Sequence, residues 1–218
     1  MSSAADGELP PPAPAAAESL FGPRLPLAVR YARMLTTDAV VRGLVGPREA
    51  PRIWDRHLLN SAVVGELIPA GASVIDVGSG AGLPGVPLAL ARPDLTVTLV
   101  ESMARRTEFL TEVVAALSLA DRVTVVRGRA EECPGRVPPA AVVVARALAP
   151  LDRLAAWCLP LAEVGGVVLA VKGASAQEEI ATHARAVRRL GGSQPVVHRC
   201  GVGLLEVPAT VVEIHRRR

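Results

Sequence analysis

From residue 71 onward the apolar positions fall into short unbroken runs separated by longer stretches of mixed polarity. The runs lie at 73–77, 95–100, 123–127, 141–145 and 166–171, and several are nearly continuous Val and Leu. Strands covered on both faces read this way, because neither side of the sheet meets water. The stretches at 85–91, 105–119, 151–161 and 176–190 have helical length. In the second of these, Phe109, Val113 and Leu117 form one buried stripe. Two last runs, 195–198 and 210–214, predict an antiparallel pair at one edge. The pattern predicts an α/β chain with a Rossmann-like, doubly wound sheet of seven strands, mostly parallel, with helices on both faces.

The first third of the chain is different. Residues 1–19 form an Ala/Pro-rich tract around PPPAPAAA, where proline removes helix donors and nothing could build a core, so a disordered tail is expected. Residues 20–70 turn helical and read as an N-terminal helical extension ahead of a domain at 71–218. Leu27, Val29, Tyr31, Met34 and Leu35 suggest one apolar face. Pro47 suits a first helical turn, leading to Ile53, Trp54, His57 and Leu58. Asn60 and Ser61 are candidates to cap a further turn before Pro69.

Composition narrows the class. Half of the 218 residues are hydrophobic, which excludes wholesale disorder, and one main domain is expected. No apolar stretch has the length of a membrane span, and the N-terminus lacks the basic start and apolar middle of a signal peptide. Cys133, Cys158 and Cys200 are far apart and odd in number, as in a reduced, cytoplasmic protein, with no metal-ligand spacing. A monomer without metal is the expectation. The net charge of +3 is uneven: seven arginines between Leu20 and His57 face only Asp38, Glu49 and Asp55. This basic flank suggests either a polyanionic partner or a solvated helical face. Aromatics are too scarce for a base-stacking RNA platform.

The most informative segment is VIDVGSGAGLPG at 74–85. A buried strand that ends in glycines and feeds a helix makes room for a nucleotide-type cofactor, with backbone N–H groups facing it. The dinucleotide register would need glycines at 78, 80 and 83, and position 83 is Leu83. The register that fits is Asp76-x-Gly78-x-Gly80-x-Gly82, the pattern of class I methyltransferases that bind S-adenosylmethionine. Later strand ends add candidates, since ligands in such sheets bind beyond the carboxyl ends of the strands. Glu101 could accept hydrogen bonds from a ribose diol, in either cofactor class. Ala130 and Glu131 could meet an adenine edge. Arg146, between Ala145 and Ala147, stands where donor and acceptor would meet, and a guanidinium there could clamp a carboxylate or base edge. Lys172 brings a second cation to the same rim, with a salt-bridged structural lysine as the alternative.

These segments resemble the ribosomal RNA small subunit methyltransferase G family, also called glucose-inhibited division protein B. DVGSGAGLPGVPLAL carries the resemblance, with DRHLLNS at 55–61, RRTEFL at 105–110, GRAEE at 128–132, ARA at 145–147 and AVKG at 170–173. It implies a class I S-adenosylmethionine-dependent methyltransferase fold. It also implies methylation of guanine N7 in the decoding-region loop of 16S rRNA, with the small ribosomal subunit as partner. Cofactor contacts are implied at Gly78, Leu83, Ala130, Glu131 and Arg146, and Arg146 and Lys172 are the candidates for holding the acceptor base. Two departures bear on RNA docking: GLVGPREAPRIW precedes the Arg-His motif, and Ala145 replaces a serine. N7 has a free lone pair, so nothing asks His57 to act as a base, and a packed or hydrogen-bonded histidine is the better reading. The rivals are a methyltransferase for a small molecule or protein, and a non-catalytic ribosome-assembly factor retaining the fold.

Overall fold

The computed structural model describes residues 9–218. The chain opens with short helices: α1 (Ala15–Phe21), α2 (Leu25–Thr36) and α3 (Asp38–Val41). A continuous but irregular helical rod follows. It is 3₁₀-wound over Pro47–Arg52, π-wound over Ile53–Leu59, α-helical over Asn60–Ala62 (α4) and 3₁₀-wound again over Val63–Leu67. The α/β part then alternates β1 (Ser73–Val77), α5 (Gly85–Ala91), β2 (Thr96–Glu101), α6 (Ala104–Ala116), β3 (Val123–Arg127), β4 (Ala140–Arg146), α7 (Leu151–Cys158), β5 (Ala162–Lys172) and α8 (Ala176–Arg189). It closes with β6 (Val196–Cys200) and β7 (Ala209–His215).

The sheet has seven strands in the order β3-β2-β1-β4-β5-β7-β6. Strands β1 to β5 pair in parallel, and β7 runs antiparallel to both β5 and β6. This is the seven-stranded, mostly parallel sheet expected from the apolar runs. Strand order reverses between β1 and β4, which opens the crevice there to a ligand. Alternate residues of each strand supply one of two cores. Val74, Val97, Leu99, Val142 and Val144 face α5, α6 and the N-terminal helices, whereas Ile75, Val77, Val100, Val143 and Ala145 face α7 and α8. Central strands therefore carry Val and Leu on both sides, since both faces are covered.

Three expectations for the first third need correction. The unstructured tail is shorter than 1–19. Residues 1–8 lie outside the described residues, but α1 buries Ala17 and Phe21 in the main core, and the Trp54 indole donates to the Pro11 carbonyl at 2.8 Å. Alanines supply the contact, and their small side chains hid it in an Ala/Pro-rich tract. The apolar face of α2 is Ala28, Tyr31, Ala32 and Leu35, with Val29 exposed. Asn60 and Ser61 cap nothing, because the rod runs through them. The N-terminal helices share one core with the sheet, from Ala17 through Tyr31 to Val211.

Phe21→Ala should therefore cost about 3–5 kcal/mol, the usual range for emptying a buried aromatic site. Urea denaturation measures this directly. A loss near zero would return the segment to the status of a tail.

Candidate active site

The glycine loop leaves β1 and turns back to α5. Gly78, Gly80 and Gly82 all have positive φ, and their roles beyond that differ. A β-carbon on Gly78 would lie 2.5 Å from Leu148 Cδ1, and one on Gly82 would lie 2.7 Å from Val86 Cγ2 and 2.8 Å from the Tyr31 hydroxyl. Gly85 packs on β1: a β-carbon there would lie 2.7 Å from Asp76 Oδ2 and would collide with Leu99. The expected cradle of backbone donors is absent for most of the loop. The amides of Gly78 and Ser79 donate to the Val100 carbonyl, those of Gly82 and Leu83 to the Ser79 carbonyl, and that of Gly85 to Asp76. The glycines thus let the loop pack tightly on its own chain, and most of its N–H groups are spent there.

Beyond the strand ends lies a cleft of about 440 Å³, within the size range of small-molecule sites. Gly78, Glu101, Ala130, Glu131 and Arg146 line it, so five of the expected residues share one wall system. Glu101 is almost fully buried, and the chain holds both its oxygens. Oε2 accepts from the Gly80 amide at 3.0 Å and lies 3.5 Å from Arg106, while Oε1 accepts from the Met103 amide at 2.9 Å. A carboxylate fixed this way can still accept further hydrogen bonds from a diol. Ala130 and Glu131 open a short 3₁₀ turn, whose first amides have no partner within the turn.

The other expected residues lie elsewhere. Asp76 has no exposed surface and sits beneath the loop, on the Tyr31 side, so it supports the cleft without lining it. Gly80, Gly82 and Leu83 are also outside the lining. Lys172 is engaged: Nζ donates to the Ala149 carbonyl and to Glu179 Oε2, both at 2.7 Å. The structural-lysine alternative describes that geometry, although Lys172 also borders a second cavity of about 710 Å³ with Arg56, Asn60 and His183. Arg146, Ala147 and Leu148 line both cavities and form the wall between them. Within it Ala147 has φ of +50°, a sparsely populated conformation for a residue with a β-carbon. Sequence reading missed Leu148, Arg153 and Trp157. The last two stack at 5.0 Å beside the first cleft and come from α7, the other face of the sheet. Their spacing of four on a helix was a visible signal for a pair, but not for a place in the cleft.

Comparison with known proteins gives a consistent result. The family model GidB, rRNA small subunit methyltransferase G, matches residues 24–206. The chain is similar to Ribosomal RNA small subunit methyltransferase G of Salinispora tropica, 64% identical over 223 residues, covering 100% of this chain and 92% of that one. It is 55% identical to the protein of that name from Streptomyces avermitilis, covering 94% and 85%. Among solved structures, precorrin-6y C5,15-methyltransferase from Geobacter metallireducens superposes with a TM-score of 0.52 at 13% identity, covering 72% of this chain and 87% of that one. At that identity the likeness concerns the fold, which is the class I S-adenosylmethionine-dependent methyltransferase fold.

Burial sets the electrostatics of the site. The Asp76 carboxyl is pushed up to about 7, first by burial and further by the nearby Glu101 charge, against the Gly85 amide and Arg146. Burial also raises the Tyr31 phenol and lowers the Arg146 guanidinium. For Asp76 the sign of the linkage is clear. The folded state holds the proton more tightly than the unfolded chain, so the stabilisation is full below the ordinary 3.8 and is lost as pH rises through about 7. Every tenfold gain in proton affinity on folding is worth about 1.4 kcal/mol. Asp76→Asn should remove this slope, so that the variant gains on the native protein between pH 3.8 and 7. Denaturation curves for both proteins across that interval test it, and parallel pH profiles would sink the assignment.

Proposed function

Because the chain belongs to the rRNA small subunit methyltransferase G family, we propose that it transfers the methyl group of S-adenosylmethionine to N7 of a guanine in the decoding-region loop of 16S rRNA. The observation that carries this reading is the pair of adjoining cavities at the switch point, separated only by Arg146–Leu148. One offers a buried, doubly held carboxylate, and the other a polar rim of Arg56, Asn60 and the Lys172–Glu179 ion pair.

The residues of the first cleft fit the cofactor on their own chemistry. Glu101 suits a ribose diol, the turn at Ala130 and Glu131 suits an adenine edge, and Gly78 lets Leu148 close the wall where a β-carbon would push it away. When bound, S-adenosylmethionine supplies an electrophilic methyl on a sulfonium. The protein has little acid–base work to do, since guanine N7 carries a lone pair and no proton. Its contribution is to orient the base for in-line approach, and orientation alone can be worth roughly 7–11 kcal/mol. Turning the base out of its stack costs a few kcal/mol, which contacts across the second cavity offset. Arg146, which borders both cavities, could hold the O6 edge, whereas Lys172 would first have to release Ala149 or Glu179 to do so. A cation on O6 opposes the positive charge that develops on the ring, so such a contact serves recognition.

The basic N-terminal helices support an RNA partner. Arg30, Arg33, Arg48, Arg52 and Arg56 are exposed. Arg42 is already occupied, since it donates to both oxygens of Glu112 and stacks over Phe109. Among the described residues no helix is long and apolar enough to cross a membrane, and no cluster of three metal-ligating side chains occurs.

Incubation with labelled S-adenosylmethionine and small subunits from a strain lacking the gene should yield 7-methylguanosine at one 16S position. Labelling of free metabolites or proteins instead would overturn the substrate. Glu101→Gln should weaken cofactor binding by about 1.5–3 kcal/mol, roughly 10- to 100-fold in Kd. Calorimetry reads that change, and an unaltered Kd would remove Glu101 from the cofactor site. Arg146→Ala should strongly reduce methyl transfer in the same labelling assay, and near-normal turnover would refute a role for its guanidinium.

A further inference from the structure

Among the described residues no carboxylate meets the Arg146 guanidinium, although it forms part of the wall between the two cavities. Its Nη1 donates to the His57 carbonyl at 3.4 Å and the Ser61 hydroxyl at 3.1 Å. Its Nη2 donates to the Arg56 carbonyl at 2.8 Å and reaches His57 Nδ1 at 3.3 Å. Four of the five guanidinium donors are therefore spent on one helical stretch, and Nε–H is left for a ligand. That atom is not among the buried nitrogens and oxygens without a partner. Its Arg56–His57 part is π-wound, a rare geometry that recurs at functional sites.

These contacts determine the tautomer of His57. A guanidinium can only donate, so Nδ1 must carry a lone pair and Nε2 the proton. Nε2 lies 2.7 Å from Glu49 Oε2, which accepts that proton's hydrogen bond. The order Glu49–His57–Arg146 thus has one consistent direction of donation on each side of the ring.

We propose that His57, oriented by Glu49, is a positioning residue that sets how the Arg146 guanidinium faces the wall between donor and acceptor cavities. The proposal rests on the reading of those cavities given above. A protonated imidazole has N–H on both nitrogens, so Nδ1 could no longer accept from Arg146 and two positive groups would face each other. The charged groups around the ring are Glu49 from the preceding 3₁₀ turn, Arg56 on its own element and Arg146 from β4. Burial holds the imidazole below its ordinary 6.5, with Arg146 and Arg56 acting in the same sense and Glu49 against them. The ring is then neutral at neutral pH, and the arrangement fails only on the acid side.

The full chain, its His57→Gln, His57→Asn and Glu49→Gln variants, labelled S-adenosylmethionine and small subunits provide the test, with kcat followed from about pH 5 to 8. His57→Gln puts its amide near Nε2 and leaves Arg146 Nη2 without its side-chain acceptor, so kcat should fall about 10- to 100-fold, the scale of a misplaced reacting group. His57→Asn keeps an acceptor at the Nδ1 position that cannot gain a proton. It should retain most of the rate and lose the acid-side decline. Glu49→Gln keeps the hydrogen bond without the charge and should move that decline to lower pH. Equal rates for His57→Gln and the native protein would overturn the proposal. So would a joint loss in both His57 variants that tracks a lower Tm. Nitrogen NMR of the native imidazole supplies a readout independent of substrate. A proton on Nδ1 at neutral pH overturns the positioning role, whereas the Nε2–H tautomer in a protein that methylates no ribosomal subunit upholds that role and overturns the substrate instead.

Discussion

The hydrogen bond from the Gly85 amide to the buried carboxyl of Asp76 is the contact on which the site depends. It ties the first turn of α5 to the end of β1 and forces the loop between them to double back through three positive-φ glycines. The contact has no room for a side chain at position 85, so the acid and the glycine require each other. The folded loop then sends the Gly80 amide to Glu101 and leaves Gly78 against Leu148. One bond behind the loop thus places a carboxylate in front of it. The cost is a buried acid with one oxygen lacking a partner, which keeps its proton far above the ordinary range.

The N-terminal helices complete this arrangement and are not an appendage to it. Tyr31 donates its hydroxyl to the Ala81 carbonyl at 2.8 Å, bracing the glycine loop from the helical side. The rod reaches the same region from another direction, where the carbonyls of Arg56 and His57 and the hydroxyl of Ser61 receive Arg146. Exposed arginines on these helices are therefore mechanically coupled to the wall of the cleft. A polyanion held by Arg52 or Arg56 would be held in fixed relation to the crevice at the end of β4.

Much of the fold was legible because strands buried on both faces leave a plain signature. The bounds of β1 and β3 follow from their Val-rich runs, and β5 begins earlier than its apolar core suggests. There, Ala162 pairs with Ala140 before a bulge, and Gly165 takes positive φ, features that hydrophobicity does not encode. The reach of the N-terminal packing was illegible for a similar reason. Ala17, Ala28 and Ala32 bury completely while contributing little to any apolar pattern. Of the cleft lining, Gly78, Glu101, Ala130, Glu131 and Arg146 were legible from their positions at strand ends, a rule of topology that needs no side-chain detail.

The chain's own letters determined the α/β alternation, the seven strands, the methyltransferase register of the glycines and the acids and cations available at each strand end. These are local properties, readable from periodicity and from what a residue's own backbone tolerates. Only the folded molecule decided what each group is free to do. Asp76 is spent on a helix amide, Lys172 on Glu179, and Arg146 on a helical stretch some ninety residues earlier in the chain. Hydrogen-bond partners are chosen by proximity in space, and proximity between distant segments appears only when the two cores close on the sheet.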